Sequence, residues 1–363
     1  MRLLKSKMFH IVFVSLVLIF LGEGAVRLRA YWRTGAVGVA DDELYTTDPQ
    51  IGKVLRPNVH RKGVTGHISI NSLGFLGPEF PRKKPPGTYR IVVLGDSAIF
   101  GGFPSDNDII TAQIQYHLAR LTGRDIHVVN ASVPGYTITS ALKVYRHRVR
   151  ELSPDMVLVC QILNDRYAAV NMAFAPTDSS GAASLSQPFD VARMLTGFRD
   201  KNFLVYHLIR KNLTPMLSPI GTGSTAHDTV PTNLADAYRS HLTALIRAIK
   251  RDHTPVVVTT AWRAFSRSQT RDEQLAIASL SLMNQPYLSL EGLHAAFESF
   301  DEALRRTAQE EKIPVIDMAK MFPADPTLFK DLVHLNTRGH AAAGKMLAEQ
   351  IYTLMKTGHD DGI

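Results

Sequence analysis

Four short segments of this chain contain the residue types that nucleophilic catalysis uses. The segments are Gly95-Asp96-Ser97, 130–136, Asn164-Asp165 and 331–334, which ends in His334. A serine hydroxyl is a weak nucleophile until a neighbouring imidazole takes its proton. Each segment alone is a weak signal, because Gly-Asp-Ser recurs by chance and an Asp-x-x-His pair more often lies on the surface. Chance is a poor explanation for all four in this order.

The elements that must position these segments alternate along the chain. Strands are predicted by the apolar runs at 90–94, 127–129, 155–163, 255–260 and 313–317. Helices are predicted by apolar residues at helical spacing in 110–121, 140–152, 234–249, 293–304 and 343–354. Continuous apolar strands that alternate with amphipathic helices indicate an α/β fold, with a parallel sheet covered on both faces. Ligands of such folds bind beyond the carboxyl ends of the strands, where the four segments are expected.

The four segments resemble the SGNH (GDSL-type) hydrolase family, whose four letters are matched by Ser97, Gly135, Asn164 and His334. The resemblance covers about 88–165 and 313–340. It implies a three-layer αβα sandwich with a five-stranded parallel, flavodoxin-like sheet.

The resemblance also implies a role for each matching residue. Ser97 would be the nucleophile, His334 the general base, and Asp331 the carboxylate that orients the imidazole. The backbone N–H groups of Ser97 and Gly135 and the side chain of Asn164 would form the oxyanion hole, in which each donor is worth about 10²–10³ in rate. Gly135 has no side chain, so its N–H can approach a substrate closely. No cofactor and no metal is implied.

Several neighbouring residues receive other interpretations. Leu163 stands where many members of the family have glycine, and it is expected to narrow the floor of the pocket. We interpret Asp96 as a carboxylate that stabilises the turn, and His340 as a structural residue. Arg166 and Tyr167 are expected on the surface and not against the substrate.

Two stretches resemble cofactor-binding motifs but do not satisfy them. GHAAAGKM at 339–346 has Met346 where a phosphate-binding loop needs Ser or Thr, and it opens a helix. GTGSTA at 221–226 does not follow a strand, as a dinucleotide-binding turn must. Cys160 is the only cysteine, which excludes a disulfide within the chain and a zinc cluster built on cysteines.

The positive charge is concentrated at the amino end, where residues 1–34 carry +5 of the net charge of +8. The rest of the chain has no basic stripe, so we expect no nucleic-acid partner. Lys5 and Lys7 precede the apolar run 8–22, a pattern typical of a signal anchor or a cleaved signal peptide. We expect an uncleaved anchor in the inner membrane, with the rest of the chain facing the periplasm. Cleavage would instead make the protein secreted.

The predicted organisation has four parts. They are a signal anchor at 1–34, an irregular or short-stranded lead-in at 35–88, the SGNH hydrolase domain at 89–356, and a polar tail at 357–363. Residues 67–71 alternate like a short strand within the lead-in. An insertion at 166–232 interrupts the domain, either as a lid over the site or as a surface decoration. The chain is 45% apolar and 20% charged, which excludes a disordered protein.

The expected activity is the serine-dependent hydrolysis of small acyl esters through an acyl-enzyme. By analogy with the family, O-acetyl groups of a cell-envelope glycan are the expected substrates. The alternatives are an O-acyltransferase that uses the same residues on a glycan, a lipase or thioesterase with a long apolar groove, and a catalytically silent glycan-binding or scaffold protein. A silent protein is expected to have lost a catalytic position, and none is lost here.

Overall fold

The computed structural model describes residues 44–360 except 63–66, 102–104, 162 and 175–225, together with 20–29 and residues 13, 14, 17, 18 and 32. The chain divides into two units, Met1–Leu44 with Thr177–Ser218, and Tyr45–Pro176 with Pro219–Ile363. In the first unit, residues 20–29 are helical. No helix of the described residues is long and apolar enough to cross a membrane. The expected anchor at 8–22 lies largely outside those residues, so it stays a prediction.

Two antiparallel hairpins open the second unit. Strand β1 (Tyr45–Asp48) pairs with β2 (Gly52–Leu55), and β3 (Val59–Lys62) pairs with β4 (His67–Ile70). Strand β4 confirms the short strand that was predicted at 67–71.

A five-stranded parallel sheet follows the hairpins. Its strands are β5 (Tyr89–Gly95), β6 (Ile126–Asn130), β7 (Met156–Cys160), β8 (Val256–Thr259) and β9 (Val315–Ile316), in the spatial order β6-β5-β7-β8-β9. The first of these strands therefore lies between the second and the third, which is the flavodoxin-like order. Both the parallel sheet and its strand order confirm the predicted fold class.

Helices cover both faces of the sheet. In chain order they are α1 (Ser97–Phe100), α2 (Ile110–Thr122), α3 (Ile138–Val144), α4 (Leu163–Phe174), α5 (Asp236–Arg251), α6 (Arg271–Asn284), α7 (Leu290–Glu311), α8 (Met318–Met321) and α9 (Thr337–Asp360). Ile91, Val93 and Leu158 share one core cluster with apolar side chains of α2 and α9. Successive residues of a strand point to opposite faces, and on the other side α5 packs against β8, α3 and α7.

Close packing around α9 explains the glycines of the GHAAAGKM stretch. A Cβ on Gly344 would lie 2.4 Å from the Cβ of Gln113 on α2. A Cβ on Gly339 would lie 2.0 Å from the carbonyl oxygen of Leu328. Both glycines allow other parts of the chain to approach α9, which accounts for this motif-like spacing without any phosphate.

The third strand of the sheet is shorter than predicted. Strand β7 ends at Cys160 and α4 begins at Leu163, so Asn164 and Asp165 lie in the first turn of a helix and not at the end of a strand. The mostly apolar run 155–163 spans the end of the strand and the start of the helix, and periodicity does not separate the two in so short a run. The carboxylate of Asp165 accepts the backbone N–H of Ile138 at 2.9 Å, which connects the start of α4 to α3.

Two other predicted segments, the insertion at 166–232 and the polar tail at 357–363, lie only partly within the described residues. Residues 166–174 of the predicted insertion continue α4, and 175–225 lie outside the described residues. The role of the insertion therefore stays a prediction. Helix α9 extends to Asp360, so the predicted polar tail begins as helix.

Candidate active site

Ser97 lies at the tight turn between β5 and α1, at the carboxyl edge of the sheet. A Cβ on Gly95 would lie 2.6 Å from Cγ1 of Ile99, so a larger residue does not fit this turn. Asp96 stabilises the turn as predicted, because its carboxylate accepts the backbone N–H of Ala98 at 2.9 Å. The Ser97 side chain is half-buried, which fixes its position and leaves part of it open to solvent.

The structure brings Ser97, His334 and Asp331 into one hydrogen-bonded chain. The Nε2 atom of His334 lies 2.8 Å from Oγ of Ser97. On the other side of the ring, Nδ1 lies 2.8 Å from Oδ2 and 3.0 Å from Oδ1 of Asp331. An ionised carboxylate only accepts hydrogen bonds, so the ring proton belongs on Nδ1. Nε2 is then free to accept the hydroxyl proton of Ser97.

The charges of this chain favour a basic imidazole. Burial lowers the pKa of His334, but the hydrogen bond and the charge of Asp331, helped by the charge of Asp96, outweigh it. The net result is a His334 pKa above the ordinary histidine value. Burial raises the pKa of Asp331, but the hydrogen bond and charge of His334, with two backbone N–H groups, outweigh it and lower the pKa overall. These shifts favour an ionised carboxylate on Asp331 beside an imidazole of raised basicity on His334.

The loop that carries His334 is attached to the segment that follows β8. The indole Nε1 of Trp262 donates to the carbonyl of Val333 at 3.0 Å. The backbone N–H of Ala264 donates to the carbonyl of Leu332 at 2.8 Å. Asp331 Oδ1 also accepts the N–H of Val333 at 3.0 Å, so backbone bonds hold the carboxylate in place as well. These bonds set the position of the imidazole relative to Ser97.

Gly135 and Asn164, the other two predicted site residues, meet at the loop that follows β6. The Nδ2 of Asn164 donates to the carbonyl of Tyr136 at 2.8 Å. Gly135 is exposed, and its backbone φ is +86°, a conformation that residues other than glycine rarely adopt. Within the same loop, the N–H of Val133 donates to the carbonyl of Gly95 at 3.4 Å, which places the loop beside the Ser97 turn. An amide nitrogen has two hydrogens, so Asn164 keeps one donor beyond the bond to Tyr136.

The expectation for Arg166 was wrong, because this side chain is buried. Its Nη1 donates to Oε1 of Gln285 at 2.8 Å, and its guanidinium lies 4.2 Å from the ring centre of Phe297. Burial lowers the pKa of Arg166 to about 10. Arg166 points inward because it lies on helix α4, which begins at Leu163. The sequence analysis placed residues 155–163 in a strand and so missed the start of this helix. Tyr167 is exposed, as expected.

Other predictions near the site concern His340 and Leu163. His340 is buried within α9, and burial lowers its pKa to about 4, so it stays neutral at ordinary pH. This agrees with a structural role. Leu163 lines a cavity behind the Ser97 turn, together with Asp96 and Trp262.

Gln161 is a residue that the sequence analysis missed. It is fully buried, and its Nε2 donates to the carbonyl of Tyr136, the same carbonyl that Asn164 contacts. The available signal was a polar residue inside an apolar run, three positions before Asn164. A polar side chain in a buried strand end needs a hydrogen-bond partner, and here that partner is the loop of Gly135.

The sequence matches the model of the GDSL-like Lipase/Acylhydrolase family over residues 93–342. The chain belongs to this family, and it is an enzyme that hydrolyses ester bonds.

Several solved structures are similar to this chain. A lipase/acylhydrolase from Enterococcus faecalis is 16% identical, with 73% of this chain and 96% of that chain covered and a TM-score of 0.42. A catalytic mutant of an acetylxylan esterase from Geobacillus stearothermophilus is 14% identical, with 74% and 94% covered and a TM-score of 0.43. An α/β-hydrolase from the metagenome of Lake Arreo, Spain, is 16% identical, with 74% and 95% covered and a TM-score of 0.41. No curated protein matches the chain.

Proposed function

We propose that this acylhydrolase cleaves esters of short acyl groups through an acyl-enzyme formed on Ser97. One observation carries the proposal: the imidazole of His334 lies 2.8 Å from Oγ of Ser97 and 2.8 Å from Oδ2 of Asp331. A nucleophile, a base and a group that orients the base are the parts that this chemistry requires. The half-buried Ser97 can be reached by a substrate from the solvent side.

The proposed reaction has two halves. His334 Nε2 takes the proton of Ser97 while Oγ bonds to the ester carbonyl carbon. The carbonyl oxygen gains a negative charge, which the N–H groups of Ser97 and Gly135 and the Nδ2 of Asn164 stabilise. Collapse breaks the bond to the alcohol, which leaves with the proton held by His334. In the second half, a water gives a proton to His334 and attacks the acyl carbon. Collapse then breaks the bond between that carbon and Oγ of Ser97, Oγ takes the proton back from His334, and the acid is released.

The proposed substrates are O-acetyl groups on a cell-envelope glycan. The small acyl group is proposed by analogy with the family. The exposure of Gly135 supports an ester whose alcohol part is a polymer, because a polymer must bring its ester group to the site from the solvent.

The proposal places the enzyme on the inner membrane, held by residues 8–22, with the hydrolase domain in the periplasm. Lys5 and Lys7 precede this run, and the run itself contains no Asp, Glu, Lys or Arg. The full-length chain is expected in the membrane fraction of cells, and a variant without residues 1–34 in the soluble fraction. A full-length chain in the soluble fraction would contradict the anchor.

The test compares the full-length chain with its Ser97→Ala variant. Both are assayed on nitrophenyl esters from acetyl to long acyl chains, and for acetate release from O-acetylated glycans. Ser97→Ala is expected to lower turnover by at least about 10³-fold while the fold is kept. Ser279→Ala is the matched control, because half-exposed Ser279 lies on α6 and its hydroxyl donates to the carbonyl of Ala276 in the same helix, at 3.1 Å. Equal activity in the Ser97 variant would refute the mechanism, and a preference for long chains would refute the short acyl group.

A further inference from the structure

A small cavity lies behind the Ser97 turn, at the carboxyl ends of β5, β7 and β8. Its volume is about 20 Å³, and its lining includes Asp96, Cys160, Gln161, Thr259 and Thr260. A site that holds one water needs about 10–15 Å³. The cavity therefore has room for one water.

Two buried oxygens of this lining have no hydrogen-bond partner among the residues that the structure describes. They are Oδ2 of Asp96 and Oε1 of Gln161. The other groups of both side chains are engaged. Asp96 Oδ1 accepts the N–H of Ala98, and the backbone of Leu163 also interacts with this carboxyl. Gln161 Nε2 donates to the carbonyl of Tyr136, and the Gln161 side chain also interacts with Asp165. The bond to Tyr136 fixes which end of the Gln161 amide is the oxygen. Buried acceptors are nearly always paired, so a donor is required here.

We infer that the cavity is a binding site for one water, which donates one hydrogen to Asp96 and the other to Gln161. A water has two donors, and the two lining side chains offer two acceptors. Asp96 and Gln161 both line this cavity. An ionised carboxylate and an amide oxygen only accept hydrogen bonds, so the donor must come from a third group.

The site connects two parts of the proposed catalytic machinery. Asp96 caps α1, the helix that begins with Ser97. Gln161 holds the carbonyl of Tyr136, the residue after Gly135. The water thus joins the turn of the nucleophile to the loop of the oxyanion hole, and Gln161 is a positioning residue for both. This inference rests on the roles proposed above for Ser97 and Gly135.

The first test is a high-resolution crystal structure of the full-length protein. It should show a water within about 3.2 Å of both Asp96 Oδ2 and Gln161 Oε1. A cavity without an ordered water, or a water that contacts only one of the two oxygens, would overturn the inference. This test does not depend on activity, so it separates a failure of the water site from a failure of the proposed function.

The second test is the kinetics of Gln161→Met, which keeps the side-chain length and removes the amide. Because a small displacement of reacting groups costs up to about 100-fold in rate, kcat is expected to fall by about 10-fold to 100-fold, with KM changed by less than about twofold. Gln274→Met is the matched control: Gln274 is also buried and hydrogen-bonded, to His294 and to the carbonyl of Gln269, away from the site. An unchanged kcat in a folded Gln161→Met would overturn the positioning role. If that variant does not fold, the crystal structure of the unaltered protein still decides whether the water site exists.

Discussion

Asp331 has two separate effects on His334: it fixes the ring proton on Nδ1, and it raises the imidazole pKa. In the proposed mechanism only neutral His334 can accept the proton of Ser97. We therefore expect kcat/KM to fall as the pH drops through the His334 pKa, which lies above the ordinary value. In Asp331→Asn both effects are lost. We expect kcat/KM to fall by about 10²–10⁴-fold, and the acid limb of the profile to move to lower pH. Profiles of kcat/KM against pH for both proteins measure this.

Asp325→Asn is a suitable control for that experiment. Asp325 is a capping carboxylate on a neighbouring turn, where it accepts the N–H of Thr327 at 2.8 Å. This variant is expected to keep both the rate and the acid limb of the parent. If the acid limb of Asp331→Asn stayed in place or moved upward, Asp331 would not be the group that raises the pKa of His334.

At the scale of elements, the contact between α2 and α9 depends on Gly344. Alanine favours a helix over glycine by about 1 kcal/mol, so helix propensity alone predicts that Gly344→Ala stabilises the protein. The added Cβ would lie 2.4 Å from the Cβ of Gln113 and 3.1 Å from the carbonyl oxygen of Ile110, which forces the helices apart. Overpacking of this kind costs about 1–3 kcal/mol. We therefore expect a lower free energy of unfolding, measured by urea denaturation.

Ala341→Gly in the same helix separates packing from propensity. Ala341 is exposed, so only helix propensity acts there, and the variant is expected to lose about 1 kcal/mol. If both positions followed propensity, Gly344→Ala would gain stability as Ala341→Gly loses it. That result would contradict the close approach of α2 and α9.

At the scale of the whole molecule, the sequence predicts what depends on neighbouring residues and misses what depends on distant ones. The apolar run at 90–94 predicts β5 correctly because a buried parallel strand needs a continuous apolar sequence. The segments around Ser97 and His334 are recognisable because each is a local turn, although 237 positions separate the two residues. The burial of Arg166 was not predictable, since it depends on Gln285 and Phe297 from other elements.

The lead-in at 35–88 was predicted as an irregular or short-stranded segment, and its first hairpin, β1 with β2, contacts the loop of Gly135. The hydroxyl of Tyr136 donates to the carbonyl of Lys53 on β2 at 2.7 Å. In return, Nζ of Lys53 donates to the carbonyl of Pro134 at 2.6 Å. These bonds tie the hairpin to both neighbours of Gly135, whose N–H is the proposed oxyanion donor. The hairpin is therefore expected to affect catalysis as well as stability.

Tyr136→Phe tests this coupling, because it removes one hydroxyl and leaves the ring in place. Tyr145→Phe is the matched control: that buried hydroxyl donates to Asp252 at 2.8 Å, away from the Gly135 loop. Each variant is expected to lose about 1 kcal/mol of unfolding free energy with its hydrogen bond. Only Tyr136→Phe should also lower kcat, by about threefold to tenfold, because its loop carries the proposed oxyanion donor, the N–H of Gly135. Equal kcat in the two variants, measured on the same nitrophenyl ester, would limit the hairpin to a structural role.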